Sequence, residues 1–521
     1  MPTTINTNIM SLNAQLNLQT SQNSLATSLE RLSSGLQINT AADNAAGFAI
    51  TQQMTAQING INQAAQNAND GISMAQTAQG GLNAEIGLLQ SMRTLAVQAA
   101  NGTNSASDRQ AIQAQIAQLQ QELSRTALTT QFNGQNILDG TMSDAQFQVG
   151  ANASQTINFG IASTQGSDIG NNGYATSGSM TGATLSTSTT ASGNGVVNQT
   201  LTVQGALGTT GKNNVPAIVI SANETAYAIA NAVNNQSAST GVTASAITSA
   251  ELNNLASGGT ISFSLLGSNS TAVTINASVT STTDLSSIAN AINADTASTG
   301  ISAYADQSGN LYMTQSQGYD IKIQNLTDSG VASGTTVATL QSFNPNTANG
   351  NVSPDTTATA NLQNGYSGTV GGQVSFESAS AYTLSSTAAG TASGGSVLNT
   401  TSAANTNVGS SLLSVANIDV TKIQNGVPAG ANEAINTIDM ALQTLNTIAA
   451  NLGSVQNRFQ DTITNLQTTS NNLSAARSRI QDTNYAQETS NLTRSQILQQ
   501  AGTAMLAQAN QLPNMVLTLL K

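Results

Sequence analysis

The sequence predicts an α+β multidomain fold. A long α-helical coiled-coil rod built from both chain ends would carry a β-hairpin and β-rich middle domains that contain duplicated small α+β modules. Apolar residues recur every seven positions near both ends. Proline is absent between Pro2 and Pro216 and between Pro428 and Pro513, as long helices require. The region between is rich in Gly, Ser, Thr and Ala and has short alternating apolar runs. These three observations favour helical ends around a β-rich middle.

The composition excludes most kinds of chemistry. The chain has no Cys and no His, so thiol nucleophiles, disulfides and His-ligated metals cannot occur. Its 12 basic residues form no stripe that could neutralise nucleic-acid phosphates. No apolar run approaches the roughly 18 residues of a membrane span, and the first residues lack the features of a secretory signal peptide. We expect a non-enzyme with no catalytic, cofactor-binding or metal site, no nucleic-acid partner and no membrane insertion.

The low charge indicates how the chain meets its partners. Only 7% of its residues are charged, against roughly a quarter in ordinary soluble domains. Solubility therefore comes from Asn, Gln, Ser and Thr, which can be buried between subunits without the desolvation cost of ions. This composition suits a protein that packs against copies of itself.

The first predicted helix lies within residues 1–40. Its leucines predict a short seam that packs against another helix. The seam stops at Gly35, a residue type typical of helix C-caps. Its positions are Leu18, Leu25 and Leu32 in a seven-residue row, with Leu12 and Leu29 beside it.

A longer helical region is predicted within residues 41–165. Glycines interrupt its apolar stripe at a cost of about 1 kcal/mol each relative to Ala, so packing against partners has to offset them. The main seven-residue row contains Met54, Ile61, Ala68, Ala75, Leu82, Leu89 and Ala96. The second predicted row contains Ile58, Ala65, Ile72 and Ile86.

Two local signals follow in the same region. Ser105 and Asp108 have the spacing of a capping box, which predicts a helix from there to about Thr129. Alternating apolar residues at 147–149 and 157–161 flank a Gly-Ala-Asn-Ala-Ser turn, which predicts a β-hairpin.

The C-terminal end repeats the helical pattern over residues 412–484 and 485–521. Ordinary packing inside one globule could produce a single stripe, but two long stripes at opposite chain ends favour a rod over separate compact bundles. The first region contains the row Leu452, Phe459, Leu466, Leu473 and Ile480, with Ile448 and Val455 beside it. The second contains the weaker row Leu498, Met505 and Leu512.

The predicted middle, residues 166–411, contains an internal repeat over about 200–330. Residues 229–234 (IANAVN) match residues 288–293 (IANAIN), and residues 238–242 (ASTGV) match residues 297–301 (ASTGI). Two copies are too few for a solenoid, so we expect duplicated small modules of strands with one short helix. From about residue 330 onward the composition approaches low complexity and predicts no strand borders.

Both ends resemble bacterial flagellin, the subunit of the flagellar filament. The resemblance covers about residues 1–165 and 412–521. The matching N-terminal segments are SLNA at 11–14, LERLSSGL at 29–36, AAG at 45–47 and QFNG at 131–134. The matching C-terminal segments are ARSRI at 476–480, QILQQAG at 496–502 and LAQANQ at 506–511. Between residues 37 and 44, where relatives carry a basic residue and an acidic cluster, only Asp43 is charged.

The resemblance implies an extracellular structural subunit that polymerises with itself into the filament used for swimming. It implies that the terminal helices form the inner tube and rod, that the middle points outward, and that the chain leaves the cell unfolded through the flagellar export apparatus. The implied partners are the flagellar cap, the hook–filament junction proteins and an export chaperone. The helix seams listed above would then serve both helix packing and polymerisation.

The resemblance also implies a segment that a host innate receptor binds. Sensed relatives carry a segment like QRVRELAV, which has charged residues at its second and fifth positions where this chain, with QSMRTLAV at residues 90–97, has Ser91 and Thr94. Gln90, Arg93 and Leu95 remain as candidate receptor contacts, but Ser91 and Thr94 carry no charge. We expect weak receptor binding.

Two other functions fit parts of the chain. A hook–filament junction protein shares flagellin-like ends, although the long middle insert argues against it. A β-rich surface adhesin would explain the middle but leaves both helical ends without a purpose.

Overall fold

The computed structural model describes residues 7–176, 182–212, 214–343, 354–391, 394–398, 403–423 and 428–519. The chain divides into two compact units. The first contains Met1–Gln76, Asp144–Gly160 and Gly453–Lys521, and the second contains Thr77–Ser143 and Ile161–Leu452. None of the described helices is long and apolar enough to cross a membrane.

Long helices occupy both ends of the chain, which confirms the predicted fold class. The longest are α2, with 55 residues, and α8, with 53. The helices are α1 (Ile9–Ser34), α2 (Ala45–Ala99), α3 (Ala106–Thr129), α4 (Ala226–Asn234), α5 (Ser237–Thr240), α6 (Ser286–Ala294), α7 (Thr296–Thr299), α8 (Ala429–Gln481) and α9 (Tyr485–Leu519). The predicted division at residues 40, 165, 411 and 484 stays a prediction.

Short polar contacts fix the helix ends. Gly35 ends α1 in the left-handed conformation with φ of 74°, which confirms it as the C-cap. Ser105 and Asp108 form the predicted capping box of α3. The buried guanidinium of Arg109 donates to the carbonyl oxygens of Ala99, Asn101 and Asn104. It thereby satisfies the last carbonyl of α2 and two carbonyls of the connection that follows.

The buried stripe of α2 differs from the prediction in its second row. All members of the main row from Ile61 to Ala96 are buried, whereas Met54 is half-buried. In the predicted second row Ile58 is buried, but Ala65, Ile72 and Ile86 are only half-buried. The buried second row instead lies three residues after the first and contains Ala64, Gly71, Ala78, Glu85, Met92 and Ala99. Small residues dominate it, and they allow neighbouring backbones to come close.

The predicted hairpin in the first unit is confirmed. Strands β3 (Ala145–Gln148) and β4 (Thr156–Phe159) pair antiparallel, with Phe147 opposite Ile157. Three aromatic rings anchor the hairpin: Phe147 stacks on Phe159 at 5.6 Å, and Phe459 of α8 meets both rings edge-on at 5.5 and 6.1 Å. Such arrangements stabilise beyond their buried area.

The second unit contains the β-rich middle. Besides β3 and β4, the described strands are β1 (Gln131–Phe132), β2 (Gln135–Asn136), β5 (Gly170–Ala175), β6 (Ala183–Ser186), β7 (Gln199–Gln204), β8 (Ile218–Ile220), β9 (Thr243–Asn253), β10 (Gly259–Leu266), β11 (Val273–Val279), β12 (Ile301–Ala305), β13 (Leu311–Gln315), β14 (Ile321–Asp328), β15 (Thr336–Phe343), β16 (Pro354–Gln363), β17 (Tyr366–Val370), β18 (Gln373–Ser378), β19 (Thr383–Ser386), β20 (Gly390–Thr391), β21 (Gly394–Gly395), β22 (Val408–Gly409) and β23 (Ser411–Ser414). The main sheets of the middle have the strand orders β11-β10-β14-β17-β6, β12-β13-β9-β18-β5-β23 with β15 and β16 attached, and β22-β19-β7-β8.

The duplicated modules make equivalent contacts. The Asn234 side chain at the end of α4 donates to the Ala244 carbonyl oxygen at 2.8 Å and accepts from its N–H at 2.7 Å. Asn293 at the end of α6 makes the same pair of bonds with Ala303, both at 2.8 Å. The apolar faces of α4 and α6 are buried in two separate cores, one for each module. The middle therefore has hydrophobic cores of its own.

Candidate assembly surface

Helices α1 and α9 pair antiparallel in the first unit through small and polar residues. Asn8 donates to the Ala509 carbonyl oxygen at 2.8 Å, and Ser11 donates to Asn510 Oδ1 at 2.7 Å. A Cβ added to Gly502 would lie 3.3 Å from a methyl group of Leu18, so the two helices are close at this point. The seam between the helices therefore buries few large apolar side chains.

Many large apolar side chains of α1 and α9 are instead exposed. Leu12 is 57% exposed and Leu29 50% exposed, while Leu498 and Met505 are 51% and 63% exposed. The sequence predicted these four residues as positions that serve both helix packing and polymerisation. Smaller neighbours occupy the seam between α1 and α9, and the role of the four residues in polymerisation stays a prediction. Sequence reasoning also missed further exposed apolar residues on the same helices: Ile9, Met10, Leu16 and Ile497.

The other predicted seam residues are less exposed than these residues of α1 and α9. Leu82, Leu89 and Phe459 are fully buried. Two more buried members are Ile61 and Leu452. The half-buried members are Leu32, Leu466, Leu473 and Ile480, and the side chain of Leu512 lies outside the described residues.

The candidate receptor segment lies on α2 in the second unit. Gln90 and Arg93 are exposed and Leu95 is half-buried. Arg93 donates to both carboxylate oxygens of Asp439, at 2.6 and 3.2 Å. This bond and the charge of Asp439 raise the pKa of Arg93. The guanidinium is thus held by α8 rather than presented freely.

Charged groups elsewhere have local structural roles. Asp43, the acid that remains between residues 37 and 44, accepts from the backbone N–H groups of Thr40 and Asn39 at 2.8 and 3.1 Å. These bonds lower the pKa of Asp43. Across the described parts of the chain, no three His, Cys, Asp or Glu side chains come together as a metal site.

Comparison with known proteins places these features in a family. The chain matches the bacterial flagellin N-terminal helical region over residues 5–143 and the C-terminal helical region over residues 435–520. The flagellin hook IN motif matches twice, over residues 200–256 and 260–317. The B-type flagellin of Pseudomonas aeruginosa is 39% identical over 522 residues, covering 100% of both chains. The flagellins of Salmonella rubislaw and Escherichia coli K12 are 36% and 33% identical, each again covering 100% of both chains.

Proposed function

This chain belongs to the bacterial flagellin family, and we propose that the exposed apolar side chains of α1 and α9 carry its polymerisation. As a flagellin, the chain is a structural subunit of the extracellular bacterial flagellar filament. Its full-length similarity to flagellins favours this function over a junction protein or an adhesin.

One observation supports the choice of surface. The eight Leu, Ile and Met side chains named above on α1 and α9 are 50–63% exposed, although both helices already pair with each other. Contiguous exposed apolar surface in a soluble protein marks a site of association. The chain's low charge removes the desolvation cost that would otherwise oppose burial of this surface between subunits.

Paired substitutions test the surface. Leu498→Gln with Met505→Gln in the full chain should raise the critical concentration for polymerisation at least tenfold, while the helix content measured by circular dichroism stays unchanged. The matched control is Leu207→Gln with Val219→Gln, which changes two residues of the middle that are 70% and 69% exposed. Filaments that form at the original concentration in the first variant would contradict the proposal.

We extend the proposal to the partners that a filament subunit needs. The growing filament requires the flagellar cap and the hook–filament junction proteins. Before assembly, an export chaperone would cover the same apolar side chains. The chain would then pass unfolded through the flagellar export apparatus. A chaperone that binds the Leu498→Gln/Met505→Gln variant as tightly as the original chain would contradict this shared use of the surface.

We also propose weak recognition by the host innate receptor for flagellin monomers. The Ser91 and Thr94 hydroxyls donate to the helix backbone at 2.9 and 3.0 Å and offer no charge. Arg93 is already paired with Asp439. Replacing a charged partner at an interface centre can cost about 2 kcal/mol or more. A reporter assay should therefore show low potency that rises in Ser91→Arg/Thr94→Glu, and full potency of the original chain would contradict this.

A further inference from the structure

Two tyrosine rings stack in the second unit, where the first repeat module meets the chain that leaves the second. Tyr227 lies in the first turn of α4, and Tyr319 lies between β13 and β14. Their ring centroids are 4.5 Å apart, and their planes differ by 21°. The filament function assigned above makes no use of this pair.

Hydrogen bonds beside both rings hold the pair together. The Tyr227 N–H donates to the carbonyl oxygen of Gly318 at 3.0 Å. Asn194 Nδ2 donates to Asp320 Oδ1 at 3.1 Å and to a carbonyl oxygen just before α4 at 2.9 Å. Gly318 and Asp320 are the two chain neighbours of Tyr319, so the start of α4 is fixed to both sides of that ring.

The two hydroxyl groups lie on the same side of the stack. Burial raises the pKa of Tyr319, and the interaction with the Tyr227 hydroxyl adds to the rise. Because the planes are nearly parallel and the hydroxyls are neighbours, the ring carbons ortho to each hydroxyl also face each other. These ortho carbons share the unpaired electron of a phenoxyl radical, so they are the atoms at which two such radicals couple.

The composition directs one-electron oxidation to tyrosine. Cys and Trp, the other side chains that readily lose one electron, do not occur in the chain, which has eight tyrosines. Tyr227 is 36% exposed and Tyr319 is half-buried, so an oxidant reaches the pair from solvent. A subunit outside the cell also lacks the reducing environment of the cytosol.

We propose that Tyr227 and Tyr319 form an oxidative crosslinking site, at which a peroxidase-class enzyme with hydrogen peroxide joins the two rings. Each phenol gives up one electron and one proton, and the two phenoxyl radicals form a carbon–carbon bond between their ortho carbons. The hydrogen on each coupled carbon then moves to the oxygen, which restores both aromatic rings. The two electrons and two protons reduce one hydrogen peroxide to two waters.

This crosslink fastens the two repeat modules to each other. It closes a loop that contains the whole second match to the hook IN motif, residues 260–317. A covalent link that closes a long loop stabilises a protein mainly by restricting its unfolded chain. Because the folded chain already holds the rings together, coupling within one molecule is favoured over coupling between molecules.

Peroxidase oxidation of the monomeric full-length chain tests the site. With limiting hydrogen peroxide, dityrosine fluorescence should appear. Mass spectrometry of a digest should find residues 227 and 319 joined, with the loss of two hydrogen atoms, as the main link. The oxidised chain should remain monomeric on a denaturing gel, and the melting temperature of the middle should rise by roughly 5 °C or more.

Three variants locate the effect. Tyr227→Phe and Tyr319→Phe each remove one hydroxyl and keep the ring, so both should lose the link and the rise in melting temperature. The matched control is Tyr304→Phe, which changes the stacked pair of Tyr304 and Tyr312, whose centroids are 6.5 Å apart. This control should keep both effects. Each variant is compared with its own unoxidised form, so a change in starting stability does not affect the test.

Several results would overturn the proposal. They are an oxidised chain without the link between residues 227 and 319, links formed mainly between molecules, or a rise in melting temperature that persists in Tyr227→Phe. All these measurements use the monomer, so the crosslink stands or fails separately from the proposed polymerisation.

Discussion

Glu85 is an unusual residue for the centre of a helix seam. It occupies the buried second row of α2 and is fully buried. Its Oε1 accepts from Thr164 Oγ1 at 2.9 Å, but Oε2 has no partner among the described residues. Burial raises the pKa of Glu85 to about 8, although the Thr164 bond opposes the rise. The carboxyl is therefore largely protonated in the folded chain near neutral pH.

This burial predicts a loss of stability in alkaline solution. The pKa of Glu85 rises from an ordinary 4.5 to about 8 on folding, so its contribution is fully present below pH 4.5 and is lost as pH rises through about 8. At about pH 9 the ionised carboxylate should cost roughly 5 kcal/mol of unfolding free energy relative to its contribution below pH 4.5. Glu85→Gln should remove this dependence, as measured by urea unfolding of the monomer between pH 5 and 9.

The control for this prediction is Glu122→Gln. The Glu122 side chain is 43% exposed, and the bond from Arg125 lowers rather than raises its pKa. This variant should therefore keep the alkaline loss of stability. An equal loss in Glu85→Gln would show that another group titrates.

At the scale of elements, side-chain size explains which seams the sequence predicted. The main row of α2 and the capping box of α3 were predictable because each has a strong local signal, in Leu82 and Leu89 or in Ser105 and Asp108. The second row of α2 was missed because Gly71, Ala78 and Glu85 do not look like core residues. A count of large apolar side chains chose Ile72 and Ile86 instead, which are half-buried.

The same reasoning explains the outcome for the candidate assembly surface. Leu498 and Met505 could be named from the sequence because they are large and seven residues apart. Periodicity could not tell whether they face α1 or another subunit. Within the chain, the contacts of Gly502 and Asn510 show that small and polar residues of α9 face α1. No sequence rule favours a glycine or an asparagine over a leucine as the residue that packs against a neighbouring helix.

Gly71 allows α2 to pack closely against the aromatic cluster in the first unit. A Cβ at this position would lie 2.7 Å from Phe459 Cζ, and the Phe459 ring itself packs edge-on against Phe147 and Phe159. Gly71→Ala gains about 1 kcal/mol of helix propensity, but overpacking should cost more. We expect a net loss of roughly 1–2 kcal/mol in urea unfolding of the monomer.

Gly80→Ala is the matched control in the same helix. An added Cβ there meets nothing within 4 Å, so the helix propensity should appear as a gain of roughly 0.5–1 kcal/mol. Equal gains in both variants would mean that Phe459 moves aside freely.

At the scale of the whole molecule, the shortage of charge predicts assembly with little salt dependence. Only 7% of the residues are charged, so few ion pairs can form between subunits. Between about 0.1 and 1 M NaCl the Debye length falls from about 10 to 3 Å, yet the critical monomer concentration should change by less than roughly threefold. A steep rise in that concentration with salt would contradict apolar assembly.

The middle should be dispensable for polymerisation. Strand β5 enters it and β23 leaves it, and the two strands pair directly, with Gly173 opposite Ser411. A short Asn-Gly turn could therefore join Gly173 to Ser411 in place of the intervening residues. In a strain without its own filament protein, this deletion should give thinner filaments, visible by electron microscopy. A folded variant with native helix content that never polymerises would assign the middle to assembly.

The pairing of β5 with β23 also makes the subunit a natural display scaffold. Paired strands lie about 4.8 Å apart, so the middle is inserted through two neighbouring attachment points. Any foreign domain whose own N- and C-termini lie that close could be grafted there without stretching the host chain. Each graft would then be repeated on every copy, and the regular spacing of the polymer would array the passenger at high density.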